Sequence, residues 1–288
     1  MKRSPAVSLR PKVGHIQFLN CLPLYYGLVK SDALLDVELL KGMPTELNNL
    51  LLTDKLDISP ISSIEYARHS DTLVLFPDFT VSSDGEVKSI LVLSRFPLDK
   101  LSGKKVALTS TSATSHVLLK LILHHGYGTE PEYIVRPPDL DVMLSDADAA
   151  LLIGDIALKH SVKTTGYYRY DLGAEWKKLT GRKMVYAVWA IRRHFAETEA
   201  NTLVNVYAIF KKSMDYSMQH LSEIAEYAAR WEPFSSTFLI DYFRTLRFDF
   251  GKECREGLSY FYKLASEIGE LDIVPALQFI DVHSGVNK

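Results

Sequence analysis

Cysteine is scarce in this 288-residue chain: Cys21 and Cys254, far apart and in unrelated settings, are its two thiols. Neither a disulfide framework nor a thiolate metal cage is expected of it, and a reduced, cytoplasmic setting follows. Charge of one sign is lacking as well. Thirty-three Lys and Arg against thirty-five Asp and Glu leave a formal net charge of −2. No basic run interleaves with aromatics, so nucleic acid is not an expected partner. No apolar run of about 18 residues is present to span a membrane. The basic start Met1-Lys2-Arg3 is not followed by the apolar core of about seven or more residues that a secretion signal needs, so neither signal nor anchor is expected. Familiar catalytic signatures are missing too: there is no GxGxxG, no Walker-type phosphate loop, no HExxH, no GxSxG elbow and no CxxC.

What is present is apolar content of 47%, enough to bury a sizeable core in two lobes or one large domain. From residue 13 to about 190, short β-branched or Leu-rich runs alternate with amphipathic stretches, the pattern of βαβ units and an α/β fold. Strands are expected at 13–18, 37–41, 56–59, 73–76, 89–94, 105–109, 132–136, 149–153 and 184–191. Helices are expected at 44–52, 62–69, 113–125 and 155–160, with Pro23 and Pro44 in first turns and Gly126 as a C-terminal cap. In the third of these, Val117, Leu118, Leu121 and Ile122 share one face and belong to the core. Beyond residue 190 the texture becomes helical, at 195–218, 221–230, 235–248 and 254–268, and strands run out. The aromatic stripes there, Phe238, Tyr242 and Phe243 or Tyr260, Phe261 and Leu264, have the spacing of helix packing and are assigned no chemistry. No linker separates two independent domains. A second lobe is therefore entered and left through strands, with 89–94 and 184–191 as hinges.

Candidate site residues gather at strand ends, where α/β proteins present polar groups to small ligands. In Gly14-His15-Ile16-Gln17-Phe18-Leu19-Asn20-Cys21-Leu22-Pro23-Leu24-Tyr25, an apolar strand runs into a helix with the uncharged amide of Asn20 at the turn. The run Thr109-Ser110-Thr111-Ser112-Ala113-Thr114-Ser115 ends one strand and opens a helix, so unpaired N–H groups and hydroxyls converge. Capping needs one hydroxyl; the surplus marks an anion site built on Ser110, Thr111 and Ser112. Leu152-Ile153-Gly154-Asp155 repeats that geometry with an acid at the helix start, either a cap or a pocket group. His15 is either a core histidine or a pocket residue. The pair His124-His125 sits at a helix C-terminus, where exposed carbonyls favour it without a metal. The run from Val81 to Ile90, by itself, reads as a polar turn followed by a strand that Ser89 opens.

Taken as an ordered set, these segments resemble, across nearly the full length, the menaquinone-biosynthesis proteins of the futalosine route, of the chorismate dehydratase type. The resemblance rests on the segment Gly14 to Tyr25, the turn from Asp84-Gly85 to Ser89, Thr109-Ser110-Thr111-Ser112, Pro137-Pro138-Asp139-Leu140 and Leu152-Ile153-Gly154-Asp155. It implies a fold similar to type II periplasmic binding proteins: two α/β lobes, 1–92 with 190–288 and 93–189, joined by crossing strands over a ligand cleft. It also implies that Asn20 and Ser89 are the key polar residues of the pocket and that 109–112 covers an acid group of the substrate. Gly154, Asp155 and His15 complete the candidate substrate contacts. The implied reaction is dehydration of chorismate to 3-[(1-carboxyvinyl)oxy]benzoate, with chorismate as the small-molecule partner and no metal or other cofactor. Asn20 and Ser89 are too weakly basic to take a proton, which leaves Asp155, His15 or the substrate's own enolpyruvyl carboxylate as the base. Two other readings stay open: the related dihydroxynaphthoate synthase of the same route, and a non-catalytic cytoplasmic small-acid binding protein. Whether Tyr25, Tyr26 and Tyr186 touch substrate, and in what oligomeric state the chain works, the residues leave unanswered.

Overall fold

A computed structural model describes residues 10–30, 33–163 and 166–282. The N-terminal residues 1–9, on which the expectation about a signal segment rests, lie outside them. Among the described residues eleven strands form two sheets. The first sheet holds β1 (Lys12–Ile16), β2 (Glu38–Gly42), β3 (Ile58–Ser62) and β4 (Leu73–Ser83), and later β10 (Met184–Arg192) and the short β11 (Leu246–Arg247), in the order β11-β4-β10-β3-β1-β2. The second holds β5 (Ile90–Ser94), β6 (Lys105–Thr109), β7 (Glu132–Arg136), β8 (Ala149–Ile153) and β9 (Tyr168–Asp171), in the order β7-β6-β8-β5-β9.

Each sheet is built around the same βαβαβ unit. In the first, β1 pairs in parallel with β2 and β3, through α1 (Leu22–Lys30) and α2 (Pro44–Leu52). In the second, β6 pairs in parallel with β7 and β8, through α4 (Thr114–Leu121) and α5 (Leu140–Ser145). The helix α3 (Ser63–Arg68) follows β3, and α6 (Gly154–Ser161) follows β8. Strand order therefore reverses between β1 and β3 and again between β6 and β8, and crevices outside the carboxyl ends of strands at such points are where α/β sheets take ligands. The chain passes between sheets twice, at 84–89 and between α7 (Leu172–Thr180) and β10. The expected hinges, 89–94 and 184–191, are corrected on this point: apart from Ser89, which ends the first passage, their residues lie within one sheet each, antiparallel to β8 and β9 and to β3 and β4 respectively.

The helices α8 (Arg193–Thr198), α9 (Ala200–Gln219), α10 (Leu221–Ala228), α11 (Ser236–Thr245) and α12 (Lys252–Glu267) follow, and beyond them Phe279 bridges back to Leu75 of β4. The expected continuous helix 195–218 is broken at Glu199, whose backbone leaves the helical region. Strands do not run out after residue 192, since β11 pairs with β4. That strand, β4, continues through Pro77, which carries no N–H for the ladder; the register against β10 slips there, so the residues between Leu75 and Thr80 bulge. The edge strand β9, Tyr-Arg-Tyr-Asp, has no apolar alternation and went unread. The C-terminal cap expected at Gly126 is instead Gly128, at φ 62°, because the helix relaxes into a π-turn over Ile122–Tyr127.

The expected core face of α4 is buried as read, with Val117, Leu118, Leu121 and Ile122 at 1% exposure or less. Trp176 packs on Phe261, and Trp189, Tyr242 and Tyr262 are buried whole. Complete burial of such a side chain stabilises by roughly 1.5–3 kcal/mol, so the aromatic stripes of the C-terminal helices serve packing, as their spacing predicts. No helix among the described residues is long and apolar enough to cross a membrane.

Candidate active site

A cavity of about 60 Å³ lies between the carboxyl ends of the two sheets, and both line it. Ile16, Phe18, Asn20, Cys21, Pro44, Ser62, Val81, Tyr186 and Ala187 come from the first sheet and its turns. Ser89, Ile90, Ser112, Thr114, Ser115, Ile153 and Gly154 come from the second. Asn20 and Ser89, nearly 70 residues apart in sequence, thus share one cavity. Larger depressions elsewhere, such as one of about 670 Å³ edged by Asp78, Lys211, Arg244 and Arg247, lie away from these strand ends and gather none of the candidate residues.

Asn20 sits in a single 3-10 turn, Leu19–Cys21, between β1 and α1. Its Oδ1 is buried without a hydrogen-bond partner, an arrangement that costs about 1–3 kcal/mol unless a ligand satisfies it. The turn is anchored from the opposite sheet: Leu19 N–H donates to Asp155 Oδ1 over 2.9 Å. Burial pushes the Asp155 carboxyl up to about 6, partly opposed by that same hydrogen bond. Beside it the Cys21 thiol is raised far above its ordinary range, first by burial and then by the Asp155 charge. Gly154 is required where it stands. Its φ is +64°, and a Cβ there would come within 2.7 Å of the Phe18 ring.

The second-sheet wall is different in kind, because its hydroxyls are already engaged. Ser112 Oγ accepts from Ser115 N–H at 3.2 Å, the ordinary bond of a helix start. Thr114 Oγ1 lies 3.3 Å from Ser63 Oγ and accepts from Ile64 N–H at 3.3 Å, capping α3 of the opposite lobe. On the first-sheet wall Ser62 Oγ is engaged likewise, accepting from Asn48 Nδ2 at 3.3 Å.

Of the sequence-derived candidates, Asn20, Ser89, Ser112 and Gly154 line the cavity. Asp155 stands directly behind the lining, holding the Asn20 turn. Ser110, Thr111 and His15 do not line it. Ser110 is exposed and extends the β6 ladder, its N–H donating to Arg136 O at 2.8 Å. The Thr111 hydroxyl turns back to that of Thr109, 2.9 Å away. His15 points from β1 to the face opposite Ile16, as alternation along a strand requires, and stacks on Tyr25 at 3.8 Å. Burial, aided by the Lys41 charge, lowers its pKa to about 4, so it is neutral at pH 7.

Tyr186 lines the cavity, with its hydroxyl 2.8 Å from Ser83 Oγ. Tyr25 is core, its hydroxyl donating to Gly14 O at 2.8 Å, and Tyr26 reaches Glu223. One residue assigned no chemistry from the sequence belongs here: the Tyr242 hydroxyl is buried without a well-formed hydrogen bond, and its hydroxyl neighbour is Ser89. Helical spacing placed Tyr242 in the core, but only tertiary packing brings its tip to Ser89. Among the described residues no Asp, Glu, His, Lys or Arg lines the cavity, and the two ionisable groups that do, Cys21 and Tyr186, are both pushed by burial far above neutral pH. No cluster of three or more His, Cys, Asp or Glu side chains suited to a metal occurs among the described residues.

Residues 11–267 match the family model described as "Menaquinone biosynthesis". The chorismate dehydratase of Thermus thermophilus is 34% identical over 269 residues, 88% of this chain and 94% of that protein. The 1,4-dihydroxy-6-naphtoate synthase of the same organism is 28% identical over 210 residues, 71% of each chain. A Candida albicans protein described as having the generic periplasmic binding protein fold aligns at TM-score 0.64 and 14% identity, over 97% of this chain and all of that one. The two-lobed architecture expected from the sequence is the fold observed.

Proposed function

The chain belongs to the menaquinone biosynthesis family, and from that premise we propose that it is a chorismate dehydratase, a cytoplasmic hydro-lyase that converts chorismate to 3-[(1-carboxyvinyl)oxy]benzoate and water. One observation carries the reading: the orphaned Asn20 Oδ1 and the Ser89 hydroxyl meet at a cavity whose lining has no charged side chain. A dehydration that ends in an aromatic ring suits such a site. The ring C3–H of chorismate lies at the far end of a double bond conjugated to the ring carboxylate, so its removal gives an extended enolate with charge on the carboxylate oxygens. Expulsion of the C4 hydroxyl with its bonding pair then completes the arene, and the proton from C3 leaves with it as water. Aromatisation drives the sum, so the protein's task is to orient the substrate and to offer fixed dipoles to the developing charge. The α4 start, with Ser112, Thr114 and Ser115, faces the ring carboxylate in this reading, and Asn20 and Ser89 hold the enolpyruvyl group and the leaving hydroxyl.

The proton goes to the substrate's own enolpyruvyl carboxylate. His15 is turned to the opposite face of its sheet, and Asp155 Oδ1 is committed to Leu19 N–H behind the lining. Since ligand pockets usually measure about 300–1,000 Å³, the cavity of about 60 Å³ is small for chorismate, and the reading requires the lobes to part for substrate to enter. The reading calls for no cofactor. Purified protein incubated with chorismate is expected to give an aromatic product lighter by one water, seen by ultraviolet absorbance and mass spectrometry. A melting-point shift with chorismate but no product marks a binding protein and overturns the assignment.

A further inference from the structure

We propose that Asp171 is a positioning residue for Ser89: its carboxylate clamps the strained turn Val87–Lys88–Ser89 in the conformation that presents the Ser89 hydroxyl to the cavity. The proposal rests on the role given to Ser89 above. Among the described residues Lys88 is one of two non-glycines at positive φ, at 62°, where a Cβ crowds the backbone. Ser89 N–H donates to Val87 O at 2.8 Å across it. A three-residue turn closed in this way around a positive φ is the rare, strained form of the γ-turn. Such a conformation persists where its surroundings over-determine it, and strain of this kind clusters at functional sites.

Here the over-determination comes from outside the turn chiefly through Asp171, beside the bond that Ser89 Oγ donates to Val87 O at 3.3 Å. Val87 N–H donates to both oxygens of Asp171, at 3.1 and 3.2 Å, and Lys88 N–H donates to Oδ2 at 2.6 Å. Capping of α7 is a separate bond, from Ala174 N–H to Oδ1 at 3.0 Å, and would be complete without the other donors. Packing brings the clamp to the turn: a Cβ on Gly173 would lie 2.3 Å from Gly85 O and 2.7 Å from the Tyr186 hydroxyl, so the first turn of α7 is pressed onto the passage between the sheets. On the far side, Gly154 N–H donates to Ser89 O at 2.8 Å, which ties the same turn to the start of α6. Ser89 is thereby fixed from the second sheet at a point where the chain changes sheets.

The test is steady-state kinetics with chorismate on wild type, S89A, D171A, D171N and the double variant D171A/K88G, each well below its melting temperature. D171A is expected to lose about 10- to 100-fold in kcat with KM within about threefold of wild type, and D171N to lose less, since its amide keeps one accepting oxygen. In D171A/K88G, glycine adopts the positive φ without a clamp, and about fivefold or more of the lost kcat should return. A role confined to capping α7 predicts lower melting points with wild-type kcat, and no recovery from K88G. Wild-type kcat in folded D171A, or no recovery in the double variant, overturns the positioning role while wild type and S89A still define the reaction. Should D171A not fold, D171N and D171N/K88G carry the same comparison, and wild-type kcat in D171N overturns the proposal. No turnover by wild type itself overturns the functional reading and this inference with it.

Discussion

The two walls of the cavity are built at equivalent places, outside the switch points of two similar βαβαβ units, yet one group on the first-sheet wall stands apart from the paired hydroxyls around it. On the first-sheet wall, the Asn20 amide oxygen is buried and unpaired. On the second-sheet wall, Ser112, Thr114 and their neighbours are hydrogen-bonded into helix starts and across the cleft. A group kept unpaired carries a standing cost that only a ligand removes, whereas a group already paired serves the fold first. The proposed reaction uses that difference: Asn20 is proposed to meet the substrate, and the paired hydroxyls to frame the cleft.

The sharpest way to break this comparison is Asn20→Ala. Loss of a preorganised dipole at a developing charge typically costs about 10²–10³ in turnover, while removal of an unsatisfied buried atom should leave the melting temperature unchanged or slightly raised. A parallel fall in both would make Asn20 structural. Gly154→Ala attacks the seam between the walls, where a Cβ meets the Phe18 ring at 2.7 Å on a backbone at φ +64°. Roughly 1–3 kcal/mol of stability should go, with KM rising more than kcat falls because closure is obstructed; chemical denaturation and steady-state kinetics read the two effects.

Asp155 gives a pH test. Its folded pKa, about 6, is above the unfolded value near 3.9, so the folded protein binds its proton more tightly. Its contribution to stability is full below pH ~4 and is lost as the pH rises through about 6, by an amount on the order of 2 kcal/mol. Asp155→Asn, which keeps an acceptor for Leu19 N–H, should lack that decline, and the difference between the two stability–pH curves isolates it. Equal slopes between pH ~4 and ~6 would show that the carboxyl is not buried behind the turn. The smallest effect belongs to Ser112→Ala. Roughly 0.5–1.5 kcal/mol of chorismate affinity and about 1 kcal/mol of stability should go together, because the hydroxyl caps α4 as well as facing the cavity. Loss of affinity alone would place Ser112 with Asn20.

Much of this was legible in the sequence for identifiable reasons. The strands β6, β7 and β8 coincide with their expected spans, since short apolar runs between turn residues leave little freedom. The strand-to-helix amide of Asn20 was readable as ligand-facing because strand ends in α/β folds face crevices, whereas the role of Ser89, just before β5, came from the resemblance alone. What failed depended on direction and distance. Five hydroxyls in 109–115 looked equivalent, but the β6 ladder continues through Ser110 and turns Thr111 inward to Thr109. The neighbours His15 and Ile16 differ by one position and so face opposite sides of the sheet. The strand β9 gets its structure from pairing with β5 rather than from its own pattern, and with it Asp171 and its clamp stayed out of view.

In the proposed reaction, uncharged groups around one cavity orient a substrate that supplies its own base. Turnover of chorismate by Asp155→Asn and by His15→Gln, with product followed as aromatic absorbance and substrate binding measured in parallel, tests it most directly. Both variants are predicted to retain kcat within about tenfold of wild type, as expected of groups that take no part in proton transfer. Abolished turnover with binding intact in either one would contradict the account by identifying a protein base.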